Sequence, residues 1–208
     1  HQVNSGNYDR FREFYSPVVI LNTGRAGSGF VHYVLSGIRN VHSVHEGYPN
    51  LMMLSNDMFH QSDISMSKLV FRAAREEILL EQYLVGKVYV ESNHCLVPYI
   101  KAISALFPSA RFVHLIRSPI GFIQSAIRKG WFANDTIWEN NRVIALDEGW
   151  NGNSQVTKLA KYWSIINERI HNDLKNIENL KVRYHMEDLS KDINTLQDFI
   201  KFIVPNTE

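Results

Sequence analysis

A glycine-rich turn between an apolar run and a helix-like stretch restricts this chain more than any other feature. Pro17 to Leu21 leads into Thr23-Gly24-Arg25-Ala26-Gly27-Ser28-Gly29-Phe30, and Val31-His32-Tyr33-Val34-Leu35 continues as a helix. Glycines let a backbone turn tightly and bring its N–H groups close to an anion, and the helix N-terminus adds partial positive charge. Arg25 and Ser28 supply side-chain donors. A nucleoside-triphosphate loop would place a lysine and a hydroxyl after the last glycine, and here Phe30 follows Gly29. The glycines at 24, 27 and 29 do not match the dinucleotide spacing either. The turn therefore reads as a metal-free anion site, with a plain tight connection as its alternative.

A second segment strengthens the anion reading. Arg111 to Ile116 is an apolar strand ending at Arg117, and Pro119 then opens a helix that carries Ser125. Arg117 thus sits at the carboxyl end of a strand, where open α/β sheets bind ligands. Further strands are expected at Val18 to Asn22, Val41 to Val44, Lys87 to Glu91 and Lys181 to Tyr184. Helices are expected at Ile64 to Leu84 and Leu96 to Leu106, and over the pattern Val156, Leu159, Trp163, Ile166, Ile170, Leu174. Strands alternating with helices imply a three-layer α/β fold, P-loop-like, with a mainly parallel central sheet of about five strands.

These residues resemble the sulfotransferases that use 3′-phosphoadenosine 5′-phosphosulfate. Members hold the 5′-phosphosulfate with a Gly-Arg/Lys-Ser-Gly-Thr-Thr loop, and the 3′-phosphate with an arginine and a serine eight positions later. Arg25-Ala26-Gly27-Ser28-Gly29 is similar to the first, and Arg117 with Ser125 has the spacing of the second. Tyr184-His185-Met186-Glu187-Asp188-Leu189 and Leu159 to Asn167 also look like that family, so the resemblance runs from about Pro17 to Ile203. Ala26 and Gly29 stand where hydroxyl residues are common, which shifts binding toward backbone N–H groups. The resemblance implies transfer of a sulfuryl group to a hydroxyl or amine acceptor on a small molecule or carbohydrate, in line and without a metal. The product would be 3′-phosphoadenosine 5′-phosphate. Arg25 would steady the bridging oxygen, and Phe30 would stack on adenine unless it belongs to the core.

Sulfuryl transfer needs a base for the acceptor proton, and three residues compete for that role. His94, in Glu91-Ser92-Asn93-His94, resembles the family's catalytic histidine and titrates near neutral pH. Glu46 lies in His45-Glu46-Gly47-Tyr48-Pro49, similar to a His-Glu-Pro element of some branches. Glu91 is the third candidate, with pairing to an arginine in an orienting role as its alternative. Either carboxylate would need burial to raise its pKa. A nucleotide or nucleoside kinase shares the strand, loop and helix but should carry the missing lysine and a magnesium carboxylate. A catalytically inactive nucleotide-binding module is the other alternative.

The 208 residues, 45% hydrophobic and 21% charged, suit a single globular domain over 1–208. A net charge of +1 gives no ground for nucleic-acid partners. One cysteine, Cys95, excludes an internal disulfide framework. No apolar run reaches the length of a membrane span and no signal-peptide pattern is visible, so a cytoplasmic protein is expected. His42 and His45 should point to opposite faces, and no histidine or cysteine grouping has metal-ligand spacing. His114, inside an apolar strand, is expected to be a hydrogen-bonded core residue. From Gly130 to Asn153 tryptophans and asparagines interleave, which suits an acceptor-binding lid or, alternatively, a small buried subdomain.

Overall fold

The computed structural model describes residues 5–133 and 152–205, with side chains from Tyr8 onward. Most of the 130–153 segment, including Trp138 and Trp150, lies outside the described residues. The elements run α1 Ser5–Phe14, β1 Val18–Leu21, α2 Ser28–Ser36, β2 Val41–His45, α3 Met52–Phe59, α4 Ile64–Leu84 and β3 Val88–Ser92. A 3₁₀ segment His94–Tyr99 leads into α5 Ile100–Leu106. They continue with β4 Arg111–Ile116, α6 Pro119–Ile127, α7 Gln155–Lys175, β5 Lys181–His185, α8 Met186–Leu189 and α9 Ile193–Ile203.

Side-chain alternation along the strands divides the interior into two cores. Val19 and Leu21 of β1 join Phe112 and the inner faces of α1, α4, α5 and α7. Val18 and Ile20 face the other way, with Val113 and Leu115, toward α2 and α9. A strand buried on both faces reads as an unbroken apolar run, which is why Val18–Leu21 has no polar position. The five strands pair in parallel in the order β2-β3-β1-β4-β5, with helices on both faces. The expected three-layer parallel sheet is therefore present.

Helix starts follow capping chemistry. Asp63 accepts from the Ser65 amide, Ser118 from Gly121 ahead of Pro119, and Ser154 from Thr157. The helix expected from Leu96 differs: the chain coils as a 3₁₀ segment through Pro98 before α5 begins at Ile100. Proline has no N–H to give an α-helical ladder, so the tighter coil fills the interval. Along α7, Leu159, Ile166, Ile170 and Leu174 are buried, whereas Val156 is 51% exposed in the first turn.

The strand order explains why distant segments meet. β3, β1 and β4 are adjacent, and the chain reverses direction across the sheet at β1, the switch point at which such sheets open a crevice beyond their carboxyl ends. The glycine turn leaves β1, His94 follows β3, Arg117 follows β4 and Glu46 follows β2.

Candidate active site

The turn after β1 is built on left-handed backbone. Gly24, Arg25 and Gly27 have φ of 72°, 52° and 90°, and Gly27 caps α2. Asn22 accepts the Gly24 amide through Oδ1 at 2.7 Å, and Tyr162 donates to the Thr23 carbonyl at 3.2 Å. A Cβ on Gly27 would come within 2.2 Å of the Met186 sulfur, and one on Gly24 within 2.8 Å of the Trp131 ring. Gly27→Ala is thus expected to cost about 1–3 kcal/mol through its φ alone. Adding Met186→Ala should relieve only the clash. Thermal melts of the single and double variants check this, and an unaltered melting point in Gly27→Ala would refute it.

Arg25, Arg117 and Ser125 come together. Arg117 Nη1 donates to the Arg25 carbonyl at 3.0 Å, and Arg25 Nε donates to Ser125 Oγ at 3.1 Å. Because Ser125 accepts in that bond, its own proton is left to donate elsewhere. Trp163 Nε1 holds the Arg117 carbonyl at 3.0 Å, and Glu187 accepts the Ser118 amide at 3.0 Å. Arg25, Gly27, Ser28, Phe30, Glu46, His94 and Arg117 line one cleft of about 510 Å³. Phe30, in the first turn of α2, is 36% exposed there.

His94 is buried at the cleft wall. Nε2 lies 3.7 Å from the Cys95 sulfur, and Nδ1 lies 3.5 Å from Glu46 Oε1. A Cβ on Gly24 would come within 3.7 Å of Nδ1, so this nitrogen borders the glycine turn. Burial alone would lower the pKa of the ring, but the Cys95 sulfur and then the Glu46 carboxylate act against it, and it is pushed up to about 9. Glu46 takes φ of 51°, uncommon for a residue with a side chain, and its side chain is 43% exposed.

Glu91 does not line the cleft. It is 1% exposed and bound by Arg75 through both oxygens, at 2.7 and 2.9 Å. Tyr89 Oη, Asn93 Nδ2 and the Gly47 amide also donate to it. Burial would raise its pKa, but the Arg75 guanidinium beside it holds the carboxyl below its usual range. Arg75 reaches on to the Gly47 and Pro49 carbonyls, so the pair ties the turn carrying Glu46 to β3.

Further residues complete the cleft, of which Lys129 was not singled out from sequence. His45 Nε2 meets Ser28 Oγ at 2.8 Å, fastening the end of β2 to the glycine turn. Lys129 also lines the cleft. It lies four residues after Ser125, in the turn just past the end of α6. Trp131 and Phe132 are buried, packing on Phe122 and Tyr162, and Trp131 also lines the cleft. His42 stacks on Tyr89 on the opposite face of β2.

A solved structure, a sulfotransferase from Alicyclobacillus acidocaldarius, superposes on 90% of this chain and 80% of its own with a TM-score of 0.53, at 10% sequence identity. The fold is sulfotransferase-like. No protein-family model matches the sequence, and no curated protein matches it. Among the described residues no helix is long and apolar enough to cross a membrane.

Proposed function

We propose that the protein transfers a sulfuryl group from 3′-phosphoadenosine 5′-phosphosulfate to a hydroxyl or amine acceptor. The observation that carries this reading is the convergence of the turn after β1, the arginine after β4 and the histidine after β3 on one cleft. Two anion-binding elements and a proton acceptor are what the reaction requires.

In this reading the amides of the turn, at the N-terminus of α2, and the Ser28 hydroxyl hold the 5′ end of the nucleotide. Arg117 and Ser125 hold the 3′-phosphate, with the Ser125 proton left to donate. Arg25 reaches the bridging oxygen with a guanidinium that can contact two oxygens at once. Phe30, exposed in the cleft, offers its face to adenine. His94 Nδ1 accepts the acceptor's proton, and Glu46 steadies the resulting imidazolium. Glu91, fastened by Arg75, serves as an orienting group. The donor delivers the sulfuryl group to the acceptor oxygen, and the chain's residues bind, orient and move the proton. Trp131 marks the described edge of an acceptor site to which the 130–153 segment would contribute.

Calorimetric titration with 3′-phosphoadenosine 5′-phosphate should show magnesium-independent binding that weakens when the 3′-phosphate is missing. In Arg117→Ala, loss of a charged hydrogen bond worth roughly 1.5–3 kcal/mol should weaken binding about 10- to 150-fold. Preference for magnesium-ATP would move the kinase reading ahead. Binding unaffected by Arg117→Ala would remove that residue from the 3′ site.

A further inference from the structure

A second, basic groove lies along β5 and α7. β5 is an edge strand whose Val182 and Tyr184 pack inward toward the α9 side, leaving Lys181, Arg183 and His185 exposed on the face shared with α7. Two hollows there, of about 360 and 430 Å³, share His114, His171 and Arg183 and so form one groove. Leu174 gives it an apolar floor, and Trp163 closes the end toward Arg117. No lining residue is common to the groove and the cleft.

The groove's charge is lopsided. Lys175, Lys181 and Arg183 line it against one carboxylate, Glu168. Arg183 Nη2 lies 2.8 Å from His171 Nδ1. A guanidinium can only donate, so His171 accepts at Nδ1 and carries its proton at Nε2 as a further donor.

His114 adds an acceptor that lacks its donor. Asn167 Nδ2 donates to the Trp163 carbonyl at 2.8 Å, which fixes Asn167 Oδ1 as the acceptor for His114 Nε2–H at 2.9 Å. Nδ1 of His114 is therefore a bare lone pair. It is buried, with no hydrogen-bond partner among the described residues, on a residue 2% exposed that lines both hollows. Burial lowers the ring's pKa to about 4, the hydrogen bond to Asn167 opposing it only in part and the positive charge of Arg183 adding to it. At neutral pH the ring thus stays an acceptor. Buried acceptors without donors are uncommon and costly in a folded protein.

We propose that this groove is a second binding site, for a small anion that also carries hydroxyl groups, of the class of a sulfated or phosphorylated sugar. Its ester oxygens meet Arg183, Lys181 and Lys175, and a hydroxyl donates to His114 Nδ1. The apolar floor at Leu174 takes the ring's C–H face.

Titration of the isotopically labelled protein with glucose 6-sulfate and with glucose 6-phosphate, nucleotide absent, tests this by amide shifts. The shifts should cluster on β5 and α7. Binding should be at least about tenfold tighter than that of glucose or inorganic sulfate alone, since each supplies half of the contacts, and tenfold is a modest demand on one charged hydrogen bond. Either ester binding in this way supports the site, and the tighter one names the anion. Arg183→Glu, at an exposed position, should abolish the shifts while leaving affinity for 3′-phosphoadenosine 5′-phosphate intact. His114→Asn should weaken the sugar ester but not inorganic sulfate. The proposal is overturned if β5 and α7 show no shifts, if inorganic sulfate binds as tightly as both esters, or if Arg183→Glu changes nothing. The sugar-ester titrations, run without nucleotide, do not depend on the sulfotransferase reading; only the nucleotide-affinity control does.

Discussion

Replacing Arg75 with methionine is expected to destabilise the protein by about 3–5 kcal/mol, because the substitution leaves the Glu91 carboxylate uncompensated in the interior. Both side chains are 1% exposed, and the guanidinium reaches both carboxylate oxygens. Methionine fills a similar volume but offers no donor. With the guanidinium gone, burial is left to raise the carboxyl's pKa, so the deficit relative to the native protein should shrink as pH falls toward the ordinary carboxylate range. Adding Glu91→Leu should recover only part of the loss, since it removes the uncompensated charge but leaves Tyr89 Oη, Asn93 Nδ2 and the Gly47 amide without their acceptor. On the proposed function, the double variant should nonetheless turn over slowly. Arg75 also holds the Gly47 and Pro49 carbonyls, and Gly47 donates to Glu91, so these ties on the turn that places Glu46 beside His94 are removed, leaving the Glu46 amide on the Ser92 carbonyl. Urea denaturation of the two variants beside the native protein measures these changes. A loss below about 1 kcal/mol in Arg75→Met would mean that Glu91 does not depend on this partner.

That pair also marks where sequence reading reaches its limit. The glycine turn, Arg117 and Ser125 are local patterns with fixed spacings, and each sits on one side of a strand-to-helix junction, so sequence alone places them at the carboxyl edge of the sheet. Strand positions were legible for the same reason: Val18–Leu21 is apolar throughout because the strand is buried on both faces. Which strands are neighbours is a long-range property. Glu91 could be read as a base or as an arginine's partner until the structure supplied Arg75 from the middle of α4, sixteen residues earlier. A clue was present, since Ser67, Phe71, Arg75, Leu79 and Gln82 share one buried stripe of that helix, and an arginine among apolar positions needs a partner. His45 meeting Ser28 had no such signal, because it depends on how α2 lies against β2.

His94→Ala is expected to lower turnover about 10²- to 10⁴-fold, the usual worth of a positioned proton acceptor, while leaving nucleotide affinity unchanged. The pH dependence makes the test sharper. In the free protein the ring's pKa is pushed up to about 9, and a base acts only when unprotonated, so kcat/KM should climb with pH and level off near that value. Stability should move the other way. The folded state binds this proton more tightly than the unfolded chain, whose histidine titrates near pH 6.5, so the contribution is complete below about pH 6.5 and is lost as pH rises through about 9. A shift of this size corresponds to about 3 kcal/mol. Between pH 6.5 and 9 the protein should therefore become more active and less stable together, and His94→Ala should flatten both trends. Rate profiles and urea midpoints across that window measure the two trends on the same samples. A native kcat/KM that stays level, or a His94→Ala variant that keeps the rise, would assign the proton to Glu46. A native rate that falls over the window would make His94 a cation that stabilises charge in the transition state.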